Sequence, residues 1–375
     1  MAKYFLIAGE ASGDMHAAAL IAQIKARDPQ AQFTGLGGDH MAAAECHLHQ
    51  HIRHMAFMGF AAVLANLGKV RRNFRIAQEA LLADRPDTLI LIDYPSFNLR
   101  MAAFCKQHLP QTRIVYYIPP KVWAWKKWRI HRIAQLCDEV LGIFPFEPAF
   151  YAQYGYRCTY VGNPTAEQMA NVKCQMTNDK SLLALLPGSR PVEVQKCLAT
   201  MLEAARRFPD YRITVCAAPG LDDSFYVPFL HEGETLTRDT YSAVQQATAA
   251  IVNSGTATLE TALLGCPQVA VYQVAFPHMV GLLLKVAHSK IFSIPYFTLV
   301  NIICGKQVIR ECIANHFTAD NIAEEMNRIL TDEAYKKEML ASYEHLSSLL
   351  GSQPAAATAA AIITNRNRSN QSSAA

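Results

Sequence analysis

The stretch Leu182-Leu183-Ala184-Leu185-Leu186-Pro187-Gly188-Ser189-Arg190 constrains the fold more than any other in the chain. An unbroken apolar run reads as a buried strand, and Pro187-Gly188 stops it. Ser189 is placed to cap a helix running on through Pro191 and Val194. Strand, glycine turn and helix N-terminus together make an anion site, because free backbone N–H groups and the positive end of the helix dipole point at one spot. Arg190 adds a planar, permanently charged fork suited to phosphate oxygens. An ordinary strand–helix turn with a surface arginine has the same local pattern.

The pattern recurs. Tyr4 to Ala8 reads as a strand, Gly9-Glu10-Ala11-Ser12-Gly13-Asp14 as a turn, His16 to Arg27 as a helix and Gln32 to Leu36 as a second strand, a βαβ opening. The turn is not G-x-G-x-x-G, so it argues only weakly for a dinucleotide. Thr88 to Ile92 is a strongly apolar strand ending in Asp93-Tyr94-Pro95. A carboxylate at the carboxyl end of a parallel strand lies where such sheets bind ligands. An Asp before a turn is also a common helix cap. Ala249 to Val252 runs into Asn253-Ser254-Gly255-Thr256, a second anion cradle in the later half, with Glu260 in the second turn of its helix.

Two segments invite membrane readings. Lys121 to Arg132 holds Trp123, Trp125 and Trp128, interleaved with Lys126, Lys127 and Arg129. Indoles and cations suit an anionic membrane surface, and a partly buried helix with a basic face fits equally. Met55 to Leu67, followed by Arg71, Arg72 and Arg75, is either a core helix with a basic tail or a greasy surface beside cations. His47, His49, His51 and His54 lack a Cys or carboxylate at metal-ligand spacing, so a solvated loop or edge strand is the expectation. No apolar run reaches membrane-spanning length: Met279 to Ala287 is broken by Lys285. The first residues are too short for a signal peptide. The 375 residues suggest two domains, and a net charge of +4 is too weak to argue for nucleic acid. Ten cysteines without a C-x-x-C pair read as reduced thiols in a cytosolic protein.

Five motifs stand in the order found in the lipid-A-disaccharide synthase family: Gly9 to Asp14, Ile92 to Asn98, Pro120 to Trp125, Leu185 to Arg190 and Ser254 to Glu260. The chain resembles that family from Tyr4 to Ile363. The resemblance implies an α/β glycosyltransferase of GT-B type, with two Rossmann-like domains facing across a cleft and a C-terminal helix packing back on the first. The expected boundaries are 1–164 for the acceptor and membrane side, 165–180 for a linker, 181–345 for the UDP-sugar side, 346–364 for the returning helix and 365–375 for a disordered tail.

The implied reaction joins UDP-2,3-diacylglucosamine to 2,3-diacylglucosamine 1-phosphate with inversion, giving a β-1,6 disaccharide and UDP in lipid A biosynthesis. By matching motif, Asp93 and Arg190 are the expected catalytic residues. Gly188, Ser189, Arg190, Ser254, Gly255, Thr256, Glu260 and Asn301 are expected at the UDP site. Glu10, Ser12, Gly13 and Asp14 form the expected acceptor loop, and Trp123, Trp125, Trp128, Lys126 and Lys127 the membrane-facing set. Tyr94-Pro95-Ser96 departs from the family's frequent Ala-Pro-Asp, which bears on how the acceptor is held. The chain has no Asp-x-Asp pair, so no metal or cofactor is expected. A peripheral position on the cytoplasmic side of the inner membrane is expected, and a homodimer is left open. Rival readings are another UDP-sugar GT-B enzyme, such as an epimerase or glucosaminyltransferase, and a non-catalytic lipid- or nucleotide-binding protein.

Overall fold

The apolar runs become parallel strands. In the computed structural model, which describes residues 1–55, 67–124, 127–172, 181–273 and 296–372, the chain divides into two units: Met1–Pro164 with Gln353–Ala375, and Thr165–Ser352. The first unit carries β1 (Lys3–Ala8), β2 (Gln32–Gly37), β3 (His47–His51), β4 (Thr88–Ile92), β5 (Arg113–Tyr117), β6 (Glu139–Gly142) and β7 (Thr159–Tyr160). They form one parallel sheet in the order β3-β2-β1-β4-β5-β6-β7. Every residue of β4 is buried, as a strand covered on both faces requires. Phe5, Ile7, Leu89 and Leu91 enter one core; Tyr4, Leu6, Ile90 and Ile92 enter the other.

That second core is closed by the returning helix Ala355–Ser372, whose Ala359, Ala360 and Ile363 pack with Leu20 and Ile21 of helix Ala11–Arg27. Alanines let the two helices approach closely. The crossing differs from the sequence expectation. Helix Glu333–Leu350 belongs to the second unit, and the chain breaks at Gly351, whose φ of 64° ends the helix. The new helix starts at Ala355 and runs to Ser372 through residues read as a disordered tail. The stretch Glu333–Asn365 has the length and hydropathy of a membrane span, but this break divides it between the two units.

The second unit carries β8 (Leu182–Leu186), β9 (Arg212–Cys216), β10 (Thr235–Thr237), β11 (Ala249–Asn253), β12 (Gln268–Tyr272) and β13 (Glu311–Ile313), in the order β10-β9-β8-β11-β12-β13. All neighbours are parallel. Helix Pro164–Ala170 occupies the start of the expected linker, and residues 173–180 lie outside the described residues. The described cysteines are all free. Of the histidine segment, His47, His49 and His51 lie on edge strand β3, where His49 meets Asp84 at 2.7 Å and His51 meets Asp39 at 3.2 Å, and His54 lies in the 3-10 turn Ile52–His54.

Candidate active site

Each sheet reverses its strand order once: between β1 and β4 in the first unit, and between β8 and β11 in the second. Open parallel sheets bind ligands outside the carboxyl ends of the strands at such a point. In the first unit Ala8 pairs with Ile92, so the Gly9 and Asp93 turns leave side by side.

The Asp93 turn has an uncommon backbone. Asp93 and Tyr94 take φ of 44° and 45°, and Ile118 at the end of β5 takes 59°. Left-handed non-glycine residues cost about 1–3 kcal/mol each, so the surroundings must hold them. Asp93 N–H donates to the Ile118 carbonyl at 3.2 Å. The Asp93 carbonyl accepts from Asn98 Nδ2 and from the Tyr116 hydroxyl, both at 2.8 Å. The Tyr94 ring lies on Gly9, where a Cβ would stand 2.3 Å from its Cγ, and the Tyr94 hydroxyl donates to the Met55 carbonyl at 3.2 Å. Tyr94 thus fills the space over Gly9. Ser96 Oγ accepts from Arg129 at 3.2 Å.

This geometry separates the two sequence readings of Asp93. The N-cap of helix Pro95–His108 is Tyr94, and no side chain caps it. The half-buried Asp93 carboxyl is instead raised above the usual carboxylate range by burial, with Lys121 and the Tyr94 N–H pulling it back. Lys121 is lowered by the protein around its ammonium, against the attraction of Asp93 and Glu147. Glu147 is fully buried and pushed up to about 7 by that burial, although Trp123 Nε1 donates to it at 3.1 Å and the N–H groups of Ile143 and Phe144 at 2.8 and 3.0 Å.

In the second unit Leu186 pairs with Val252, which brings the Gly188 and Ser254 turns together. Gly188 has φ 116°, and a Cβ there would meet Asn253 Nδ2 and Glu193 Oε2 at 2.6 Å each, so only glycine fits. The helix Pro191–Ala205 is not capped by Ser189. Arg190 is its N-cap, and Glu193 Oε2 reaches back to accept from the N–H groups of Ser189 at 3.1 Å and Arg190 at 3.3 Å. A carboxylate already sits on the expected anion cradle. The Arg190 side chain is 56% exposed and touches Glu193 at 3.5 Å. Gly255 and Thr256 are exposed at the start of helix Thr256–Leu263, and Ser254 is half-buried. Glu260 is raised by burial, with the Thr256 hydroxyl pulling it back.

Several expected site residues serve the fold instead. Asp14 is buried and accepts from the N–H groups of Gly38, His40 and Met41 at 2.7, 3.0 and 3.1 Å, capping helix Asp39–Ala43. Gly13 is buried beside Ala8 and Ile92. Glu10 is the N-cap position of that helix and Ser12 is exposed in its first turn. Asn301 is buried, with Nδ2 donated to the Ile309 carbonyl at 2.8 Å and Glu311 at 2.9 Å, and Oδ1 accepting from Val308 and Ile309 at 2.7 and 3.0 Å. Its side chain clamps a loop and has nothing left for a nucleotide. Trp123 is 2% exposed against Phe144 and Phe146, so it does not face a membrane. Trp128 is 60% exposed and Lys127 is exposed; Trp125 and Lys126 lie outside the described residues.

Sequence reasoning missed Asn98, Tyr116, Glu147 and Glu193. Glu193 had a readable signal in its capping-box spacing three residues after Arg190, and Asn98 in its place at the end of the Ile92–Asn98 motif.

The family model described as lipid-A-disaccharide synthetase matches residues 4–363. The chain belongs to this family. It is 34% identical to the lipid-A-disaccharide synthase of Geobacter sulfurreducens, covering 93% of both chains. It is 35% identical to that of Myxococcus xanthus, covering 96% of both. As a member of the lipid-A-disaccharide synthetase family it is a glycosyltransferase that forms the lipid A disaccharide, and its substrates are, in general terms, a UDP-sugar and a lipid acceptor. Among solved structures it resembles the glycotransferase of kitacinnamycin, with TM-score 0.66 at 13% identity, covering 97% of this chain and 98% of that one. It also resembles the UDP-GlcNAc 2-epimerase of Neisseria meningitidis, with TM-score 0.63 at 10% identity, covering 98% and 100%. These likenesses show the GT-B fold alone; the family match sets the epimerase and non-catalytic readings aside.

Proposed function

We propose that the chain condenses UDP-2,3-diacylglucosamine with 2,3-diacylglucosamine 1-phosphate, giving the β-1,6-linked disaccharide 1-phosphate and UDP. The observation that carries the mechanism is Asp93, a carboxylate raised by burial on a clamped left-handed turn at the strand-order reversal of the first sheet. The acceptor's 6-hydroxyl attacks the anomeric carbon of the donor as the bond to UDP breaks, inverting that carbon. Asp93 takes the hydroxyl proton in the same step, because a carboxylate is too weak a base to form a free alkoxide. The diphosphate leaves with growing negative charge. Arg190 and the Ser189 and Arg190 N–H groups stabilise it once Glu193 gives up its place there. The N-terminus around Gly255 and Thr256 offers the neighbouring cradle, and Glu260 offers acceptor oxygens to nucleotide hydroxyls.

This chemistry needs no divalent metal, since fixed cations and helix N-termini supply the counter-charge. Incubating the purified enzyme with both acylated substrates should yield the disaccharide 1-phosphate by mass spectrometry and equimolar UDP, with or without excess chelator. Activity abolished by the chelator and restored by a divalent ion would refute the metal-free step. Absence of the disaccharide would refute the reaction itself.

The proposed working position is the cytoplasmic surface of the inner membrane, bound peripherally. Exposed Trp128 and Lys127, and exposed Arg71, Arg72 and Arg75 on helix Leu67–Asp84, support it. Binding to anionic vesicles should weaken with salt and with Trp128→Ala. Trp123→Ala is the wrong probe, because it opens a core cavity. Vesicle binding indifferent to salt and to Trp128 would remove this surface from consideration.

A further inference from the structure

A cavity of about 520 Å³ lies in the first unit beside the start of helix Leu67–Asp84, lined among the described residues by Gln50, Arg53, His54, Lys69, Arg72 and Asn73. None of the described lining residues is acidic. Arg53 meets Asp39 at 3.5 Å, which offsets part of its charge. Lys69 and Arg72 stand three residues apart on one helix face, where like charges repel. A site that gathers cations around an open volume and lines it with amide donors is matched by a compact anion with several acceptor oxygens.

The cavity wall is tied to the Asp93 turn. Asn73 is buried and donates to the His54 carbonyl at 3.0 Å. The next carbonyl, of Met55, accepts from the hydroxyl of Tyr94, the residue after Asp93. Phe74 stacks on Phe97 at 4.3 Å, and Phe97 lies 5.4 Å from the Tyr94 ring. The cavity wall is therefore linked, through the His54 and Met55 carbonyls, to the residue that follows Asp93.

We propose that this cavity binds a phosphomonoester carried on a lipid, and, resting on the reaction proposed above, that the occupant during turnover is the 1-phosphate of the acceptor. The volume exceeds that of a phosphate group and leaves room for part of the sugar bearing it. Phosphate recognition on this side and the proton acceptor on Asp93 would together select which acceptor hydroxyl is presented.

The test uses the full chain in detergent micelles, with Arg72→Gln and the double variant Lys69→Gln/Arg72→Gln. Both side chains are exposed, so folding should persist, and melting checks that it does. The acceptor KM of the double variant should rise on the order of 10- to 100-fold, as for a lost charged hydrogen-bond pair, with the donor KM unchanged. Wild type should show a similar penalty with 2,3-diacylglucosamine lacking the phosphate, and the variant should lose little more on that substrate. Flotation on vesicles containing phosphatidic acid, compared with phosphatidylserine vesicles of equal charge, distinguishes the other source: flotation lost on phosphatidic acid alone, with acceptor KM unchanged, assigns the cavity to a headgroup phosphomonoester, and an equal loss on both with KM unchanged reports surface charge only and overturns the proposal. Unchanged KM and unchanged flotation in a folded double variant overturn the proposal. Wild-type turnover is read first. Its absence refutes the reaction and leaves the flotation arm to judge the cavity; its presence with an indifferent variant refutes only the cavity.

Discussion

Asp93→Asn should lower turnover by about 10²–10⁴-fold while leaving UDP affinity and folding in place. The asparagine keeps the size of the side chain and still accepts a hydrogen bond from the Tyr94 N–H, but it takes no proton. The backbone clamp from Asn98, Tyr116 and Ile118 does not involve the side chain and should persist. Melting adds a second readout. Burial raises the Asp93 carboxyl in the folded state, so the folded chain holds that proton more tightly than the unfolded chain. Above the ordinary carboxylate range its ionisation therefore opposes folding, and below that range the penalty vanishes. The asparagine variant should melt no lower than wild type at neutral pH, and any gain should disappear as pH falls through the carboxylate range. A helix cap would behave oppositely, losing roughly 0.5–2 kcal/mol on removal. The raised carboxyl also predicts that the acid limb of the wild-type rate lies above that of an ordinary carboxylate, with this limb missing in the variant's residual rate. Turnover within a few-fold of wild type would move attention to His16 or to a water-relayed proton.

Arg190→Ala should cost about 2–4 kcal/mol in transition-state stabilisation, measured as kcat/KM for the donor. Little stability should go with it. The side chain is more than half exposed and its ion pair with Glu193 is long at 3.5 Å. Exposed pairs of this kind contribute roughly 0–1 kcal/mol. The backbone N–H groups of Ser189 and Arg190 remain in the variant, so UDP should still bind, more weakly. Arg190→Lys should recover only part of the loss, because a point charge replaces a fork that meets two phosphate oxygens. A folded alanine variant at the wild-type rate would return Arg190 to an ordinary surface residue and leave the helix N-termini as the sole support for the leaving group.

The two expectations were legible to different degrees. Strand ends such as Ile92-Asp93 and Leu186-Pro187-Gly188 announce themselves locally, because an apolar run must be buried and a glycine turn must end it. Local logic says less about Asp14 and Asn301, which the family resemblance placed in the acceptor loop and the UDP site. Buried amide and carboxyl groups must be satisfied, and their side chains take backbone groups of the fold itself as partners. Trp123 went wrong for a similar reason. An indole among lysines suits an interface, but Glu147, distant in sequence, supplies the buried acceptor that its N–H needs.

By itself the sequence determined the parts that depend on neighbouring residues: two runs of α/β units, the turn-bearing strand ends, the absence of a long uninterrupted apolar segment, and family membership through five ordered motifs. Tertiary structure alone decided what depends on residues far apart in the chain. The reversal of strand order places Gly9 beside Asp93 and Gly188 beside Ser254, and no local pattern encodes which strands become neighbours. The left-handed Asp93 turn exists because Tyr116 and Ile118, from another strand, stabilise a backbone that its own residues disfavour. The cations of the cavity gather only because the turn Ile52–His54 and helix Leu67–Asp84 meet in space. Hydrogen bonds, burial and charge act over a few ångströms, so their partners are fixed by the packed sheet and not by proximity along the chain.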